Sequence, residues 1–244
     1  MKYHQMTRLF VPFSLQSEMI ILSTLADVHY LIKVMRKKKG DQLLIFNQQD
    51  GEYIAEITEI GNKNIVFKRL EQTKFYQKKS EINLIFAPIK QSRMSFLLEK
   101  ATELGVSKLI PVQTKHSVVD KINLSKWQIY LKEAAEQCGR LDLPEIKELQ
   151  SFDKFIAQWP VDQLIILCNE SEQSLPLIKA LKDKTKDIII NIMIGPEGGF
   201  SAQEISILKQ KSFVQSVHLG PRILRAETAA IAALATSQGL LEDF

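Results

Sequence analysis

Cysteine is nearly absent from this chain of 244 residues; the two present, Cys138 and Cys168, lie far apart and make no C-x-x-C pair. A disulfide scaffold and a thiolate zinc site are therefore not expected. Histidine is as sparse, at positions 4, 29, 116 and 218, with no metal-ligand spacing, so no metal is expected either. No stretch approaches the ~18 consecutive apolar residues of a membrane helix. The first residues offer only a short apolar run, Leu9 to Val11, without a signal-peptide layout. A cytoplasmic protein with no membrane segment is the expectation. Two nucleotide signatures are also missing. No G-x-G-x-x-G follows an early strand and no G-x-x-x-x-G-K-[ST] occurs, which leaves a Rossmann dinucleotide site and a P-loop without support.

What is present has an ordinary bulk and an uneven distribution. Hydrophobic residues at 45% and charged residues at 25% suit a globular chain, and the length leaves room for two modest domains. The net charge of +4 decides little by itself. Its placement says more. Residues 33–39, K-V-M-R-K-K-K, hold five bases and no acid, and residues 68–108 hold nine bases against four acids. Such runs suit a polyanion, or else form a solvated surface.

Hydrophobic periodicity divides the chain near residue 72. Before it, Leu43–Phe46, Tyr53–Ile60 and Ile65–Leu70 read as short strands separated by turn signals at Gly40-Asp41, Asp50-Gly51 and Gly61-Asn62. One helix interrupts them, capped by Ser23 or Thr24, with an apolar stripe from Leu25 to Met35. A small β-barrel over 1–72 fits, followed by a polar linker over 71–80. From residue 82, strands and helices alternate. Strands are expected at Ile82–Ala87, Lys108–Val112, Leu164–Cys168, Ile188–Ile194 and Val214–Leu219. Helices are expected at Met94–Leu104, Lys126–Cys138, Leu175–Leu181, from Ser201, and at Arg225–Ser237. Ser201 and Glu204 form a capping box. The alternation makes 73–244 an α/β domain with a mainly parallel sheet.

Two segments of that domain share a layout of strand, Gly-Pro turn and helix: I-G-P-E-G-G-F-S (194–201) and L-G-P-R-I-L-R-A-E-T-A (219–229). In open α/β sheets, ligands bind beyond the carboxyl ends of the strands. Glycines there let the backbone approach a ligand closely. Glu197, Arg222, Arg225, Glu227 and Thr228 gather at these ends of otherwise apolar strands. The residues alone support a ligand site of cationic character and go no further.

The two Gly-Pro segments resemble the C-terminal signatures of the bacterial small-subunit (16S) ribosomal RNA uridine-N3 methyltransferases, which belong to the knotted SPOUT superfamily. The likeness extends through E-K-A-T-E-L-G-V (99–106), A-E-Q-C-G-R (135–140), M-T-R-L-F-V (6–11) and H-Y-L-I-K-V-M-R (29–36) followed by K-G-D (39–41). It covers nearly the whole chain in order. F-N-Q-Q-D-G (46–51) is two residues longer than the family's usual turn, and M-R-K-K-K is more basic. The resemblance implies a C-terminal α/β trefoil-knot domain that grips S-adenosyl-L-methionine, and an N-terminal PUA-like β-barrel that helps hold RNA. It also implies a homodimer whose substrate is 16S ribosomal RNA within the small subunit.

Roles follow from the same resemblance. Uracil N3–H is a weak acid, so a guanidinium that stabilises the uracil anion in a poorly solvated site would assist methyl transfer. Arg225 is the first candidate and Arg222 the second. Glu227 either orients an arginine or accepts a proton; a first-turn glutamate favoured by the helix dipole is the structural alternative. The cofactor is expected against Ile194, Gly195, Pro196, Glu197, Gly198, Gly199, Leu219, Gly220, Ile223, Leu224 and Thr228, with Leu167 and Cys168 completing the pocket. Glu197 binds ribose hydroxyls or caps its loop. Arg8, Arg36, Lys37, Lys90, Arg93 and Arg140 are the expected phosphate contacts, and Gln137 the expected base contact. Three rivals exist: a SPOUT ribose 2'-O-methyltransferase acting on ribosomal or transfer RNA, a non-catalytic RNA-binding knot, and a nucleotide hydrolase. The last lacks the lysine and metal carboxylates of such chemistry.

Overall fold

The computed structural model describes residues 6–77, 80–169, 174–182 and 189–241. The chain divides into two compact units, residues 1–78 with 135–142, and residues 79–134 with 143–244. The expected single cut between 72 and 73 did not assign the short segment 135–142 to the first unit.

The first unit is built on β1 (Arg8–Phe10), β2 (Met19–Leu22), α1 (Leu25–His29), β3 (Gln42–Asn47), β4 (Gly51–Ile60) and β5 (Ile65–Lys74). The sheet order is β1-β3-β4-β5-β2. β1 runs parallel to β3 and the other pairs are antiparallel. Register shifts between β4 and β5 bend the sheet. Its inner face, with Leu43, Ile45, Ala55, Ile57, Ile65 and Phe67, packs on Val28 of α1 and on Leu31. Leu31 lies in a π-helical turn, Tyr30–Val34, that continues α1. β1 and β2 were not expected; at three and four residues they are too short for alternation to show. Residues 71–74 were expected in a linker and instead end β5. Their polar side chains are used inside the sheet: Thr73 Oγ1 donates to the Glu52 carboxylate and Gln72 Nε2 to the Asp50 carbonyl.

Arg8 pins the segment 135–142 to this sheet. Its Nε lies 2.6 Å from Oε2 of the buried Glu52, and its terminal nitrogens donate to the carbonyls of Ala135, Glu136 and Arg140. The guanidinium also sits 4.0 Å above the Phe46 ring. Removing one partner of such a buried pair leaves the other charge uncompensated.

The second unit runs β6 (Ile82–Phe86), α2 (Gln91–Glu103), β7 (Lys108–Gln113), α3 (Leu124–Cys138), β8 (Glu145–Ile146), β9 (Gln150–Ser151), α4 (Phe152–Gln158), β10 (Ile165–Cys168), β11 (Leu175–Pro176), α5 (Leu177–Leu181), β12 (Ile190–Ile194), α6 (Ala202–Lys209), β13 (Val214–His218) and α7 (Ala226–Leu241). The last residues of α3 count with the first unit. The sheet order is β11-β13-β10-β12-β6-β7-β8, with β9 also on β7, and every pair is parallel. All five residues of β12 are buried. Ile190, Ile192 and Ile194 pack on the face that carries α2 and α7, and Met193 on the face that carries α4 and α6. A strand covered on both sides has no polar alternation, which is why it reads as a continuous apolar run. Ala226, Ala230 and Ala233 join α7 to the same core; their small side chains leave little between the helix and its neighbours.

The α/β class is as expected, with differences at the edges. α4, β8 and β9 were not expected. The expected helix at Leu175–Leu181 begins at Leu177, the last helix begins at Ala226, and Ile188 of the expected strand lies outside the described residues.

The turn at 46–51 is organised by one acid. Asp50 accepts the Leu15 amide and the side-chain amides of Gln16 and Asn47, while Asn47 Oδ1 accepts the Asp50 amide. Burial alone would raise the Asp50 pKa, but these hydrogen bonds and the nearby charge of Arg69 outweigh it and hold the carboxyl below its ordinary 3.8. The group therefore contributes stability that is complete above 3.8 and is lost as pH falls through the lower folded value. Asp50→Asn should lower unfolding stability in urea by about 2 kcal/mol at pH 7, the scale of hydrogen bonds to a charged group. The gap to wild type should narrow at pH values below 3.8. A gap that stays constant into acid would show that the charge contributes nothing.

Candidate active site

The carboxyl ends of β6, β7, β10, β12 and β13 lie side by side because every ladder is parallel. β10 sits between β12 and β13, with Cys168 in register with both Ile194 and Val217. The two Gly-Pro segments thus leave strands that flank β10. The chain places β12 between β10 and β6, so the strand order reverses here, as at the ligand sites of open α/β sheets.

The first segment forms a tight turn, in which the Gly199 amide donates to the Pro196 carbonyl. Gly199 has φ +68, and a Cβ on it would meet nothing within 4 Å. Its backbone is therefore open to close approach. The turn is held from two directions. Glu204 is buried, and its Oε2 accepts the Ser201 amide while Oε1 accepts the Lys115 amide, both at 2.8 Å. Next to Lys115, His116 Nδ1 lies 3.2 and 3.1 Å from the carbonyl oxygens of Gly198 and Gly199. A nitrogen facing two carbonyl oxygens is a donor, which places the proton on Nδ1. The turn after β7 is in this way tied to the turn after β12.

Arg93, on the first turns of α2, reaches both Gly-Pro segments. Its Nη1 is 2.7 Å from Glu197 Oε1 and its Nε is 3.8 Å from Glu227 Oε1. Glu227 lies in the first turn of α7 with its side chain only 10% exposed. Its second oxygen, Oε2, is buried with no hydrogen-bond partner among the described residues. A buried carboxylate oxygen without a donor is costly, so it marks a place where an absent group would donate.

The remaining candidates fall into place unequally. Gly195 and Leu219 are half-buried, Pro196 is buried, and Gly198 and Gly220 are exposed. Ile194 and Leu167 are buried in the sheet core. Cys168 is half-buried at the strand end. Burial pushes its thiol up to about 12, so it is protonated at neutral pH and is no nucleophile. Arg222, Arg225 and Thr228 are exposed, Leu224 is half-buried, and Ile223 is 81% exposed. Glu227 faces Arg93 rather than Arg225.

Arg93, one of the expected phosphate contacts, is paired with Glu197 and Glu227. Arg8 was expected on RNA as well, but its guanidinium is 9% exposed and engaged internally. Arg140 makes a two-point ion pair with Asp142. Arg36, Lys90 and Gln137 are exposed, and Lys37 is half-exposed, with Nζ 3.4 Å from the Gln42 carbonyl. Arg36 has φ +53, an uncommon backbone for a side-chain-bearing residue. Sequence reasoning missed His116. The signal was its position just beyond β7, at the carboxyl end of a strand of the same sheet. Among the described residues no cluster of three His, Cys, Asp or Glu could hold a metal. One cleft, lined in part by Ile110, Lys147, Phe155 and Trp159, shares no residue with these loops.

Known proteins resemble the chain over both units. An RNA methyltransferase domain family matches residues 76–238, and an RNA methyltransferase PUA domain family matches residues 22–70. A ribosomal RNA small subunit methyltransferase E from Rickettsia conorii is 34% identical over 236 residues, 96% of this chain and 95% of the relative. The protein of that name from Bacillus subtilis is 30% identical over 85% of each chain. Among solved structures, a ribosomal RNA small subunit methyltransferase E from Neisseria gonorrhoeae bound to S-adenosyl methionine superposes with a TM-score of 0.83. It is 28% identical and the match covers 96% of this chain and 98% of that one.

The bracing role of His116 has a local readout. His116→Ala should loosen the Gly-Pro turn and speed hydrogen exchange of the Gly199 amide roughly fivefold, the equivalent of about 1 kcal/mol for one hydrogen bond. The melting temperature should hardly move. Unchanged exchange at Gly199 would show that the turn stands without the histidine.

Proposed function

The chain belongs to the RNA methyltransferase family, with that family's PUA domain ahead of the catalytic one, and from this premise we propose that it transfers a methyl group from S-adenosylmethionine to N3 of a uridine in small-subunit ribosomal RNA. The observation that carries the reading is the pair of Gly-Pro segments on strands flanking β10, bridged through Arg93 to a buried carboxylate that lacks a donor. The relatives' names support the RNA class, and the cofactor in the Neisseria structure supports the methyl source.

The residues present fit that cofactor. The open backbone at Gly199 admits a close ligand, and the half-buried Leu219 and Leu224 offer apolar surface for an adenine. S-adenosylmethionine, when bound, supplies a methyl carbon activated by a sulfonium. The chain's own part is to position, to exclude water and to manage charge. Arg225 lies in the second Gly-Pro segment directly before α7, and its carbonyl accepts the Ala229 amide, which sets it as the cap of that helix. No carboxylate among the described residues pairs with its guanidinium, so its charge is available to a uracil anion. Arg222 stands three residues earlier in the same exposed loop and is the second cation. In the cofactor pocket we place Ile194, Gly195, Pro196, Gly198, Gly199, Leu219, Gly220, Ile223, Leu224 and Thr228, with Leu167 and Cys168 behind.

For RNA, Arg36 and Lys37 on the first unit and Lys90 on the second are the phosphate contacts we retain, with Gln137 for a base edge. The internal engagement of Arg8 and Arg140 removes them from that set. A homodimer acting in the cytoplasm on the small subunit completes the proposal. The 81% exposure of Ile223 beside the site agrees with a second subunit covering it.

Two results test the reading. Saturating S-adenosylmethionine should raise the melting temperature, because a ligand that binds only the folded state stabilises it. Arg225→Ala should slow single-turnover methylation roughly a hundredfold or more, the scale of losing one charge-stabilising donor. Cofactor affinity and dimer mass should change little. A stable dimer that methylates at the wild-type rate would exclude Arg225 from the chemistry.

A further inference from the structure

We propose that Glu227 takes the N3 proton of the target uridine, and that Arg93 is a positioning residue holding this carboxylate with one oxygen engaged and the other free. The inference rests on the N3 reading above and names the proton acceptor that reading leaves open.

The acceptors at the strand ends are few, and most are occupied. Glu197 is engaged by Arg93 at 2.7 Å. Both oxygens of Glu204 hold backbone amides. His218 Nδ1 accepts the Gly220 amide, so its other nitrogen carries the proton. The Cys168 thiol is protonated. His116 has committed Nδ1 to two loop carbonyls and is exposed. Glu227 alone combines burial with an oxygen that meets no donor among the described residues. It stands two residues beyond Arg225, at the start of α7. The proposed anion-stabilising cation and the proposed proton acceptor thus leave the same Gly-Pro segment.

The step balances. As the N3–H bond breaks, Glu227 Oε2 forms an O–H bond, and the electron pair left on N3 bonds to the methyl carbon. The pair of the broken carbon–sulfur bond stays on sulfur, discharging the sulfonium. One negative and one positive charge disappear together, so the buried site holds no new charge after transfer. A carboxylate is too weak a base to deprotonate uracil beforehand, so proton loss accompanies methyl transfer. Arg93 contributes by its distance. At 3.8 Å its Nε orients Oε1 without the close two-point pairing that would engage both oxygens.

The test uses Glu227→Gln, which keeps the shape but cannot accept a proton. Single-turnover methylation at saturating S-adenosylmethionine is compared on RNA carrying uridine or 5-fluorouridine, whose electron-withdrawing fluorine makes N3–H more acidic. The variant should be slower on uridine by roughly a hundredfold or more, the scale of general-base catalysis. The deficit should be far smaller on the fluorinated RNA. Cofactor affinity by calorimetry should stay within about twofold of wild type, as for an interaction made only in the transition state. Glu227→Asp, which retains a base, should recover part of the rate and keep the wild-type ratio between the two RNAs. An equal deficit on both RNAs would make Glu227 structural and overturn the proposal. A loss of cofactor affinity that accounts for the rate would put the free oxygen on the cofactor's ammonium and overturn it as well. His116→Gln showing the uridine-selective defect in place of Glu227→Gln would move the base to the histidine, with the same consequence. A wild-type chain that methylates an atom other than N3 would remove the broader reading and this one together, and the wild-type product tells the two failures apart.

Discussion

The Glu204 carboxylate is the contact on which the geometry at the strand ends depends. It is buried and spends both oxygens on backbone amides, one of Ser201 and one of Lys115. The first of these closes the capping box that starts α6. The second fixes the turn after β7, which carries His116 onto the carbonyls of Gly198 and Gly199. A short polar network therefore sets the shape of a glycine turn that has few side-chain contacts of its own. Fully satisfied, such a network rigidifies a site; with one member removed, its buried donors lose their acceptor.

The charges nearby follow a different logic. Arg93 is shared between Glu197 and Glu227, one partner on each Gly-Pro segment. The partly exposed pair with Glu197 contributes little to stability on its own. Its consequence is positional, since it links two loops that arise from strands separated by β10. The cation expected on the uracil, Arg225, stays outside this network and exposed, while the acid beside it is inside and buried. Opposite environments for two charged groups two residues apart suit opposite tasks.

Much of this was legible in the sequence, and the exceptions have physical causes. β12 was readable because a strand covered on both faces must be apolar throughout, and the Ser201–Glu204 box because its two residues satisfy each other locally. The Gly-Pro segments were readable from their position at strand ends. β1 and β2 were not, because their pairing is set by distant strands and they are too short to show a period. The basic residues were the least legible. Charge type alone could not distinguish Arg36, which is exposed, from Arg8, which is folded inward onto Glu52. Nor could it show that Arg93 would find two carboxylates more than a hundred residues away.

The choice of a base nitrogen over a sugar oxygen as methyl acceptor is tested most directly by incubating the purified chain with small-subunit ribosomal RNA or small subunits and S-adenosylmethionine, then digesting the RNA to nucleosides for mass analysis. The expected product is 3-methyluridine at a single position. A product methylated on the ribose 2'-oxygen would contradict that choice.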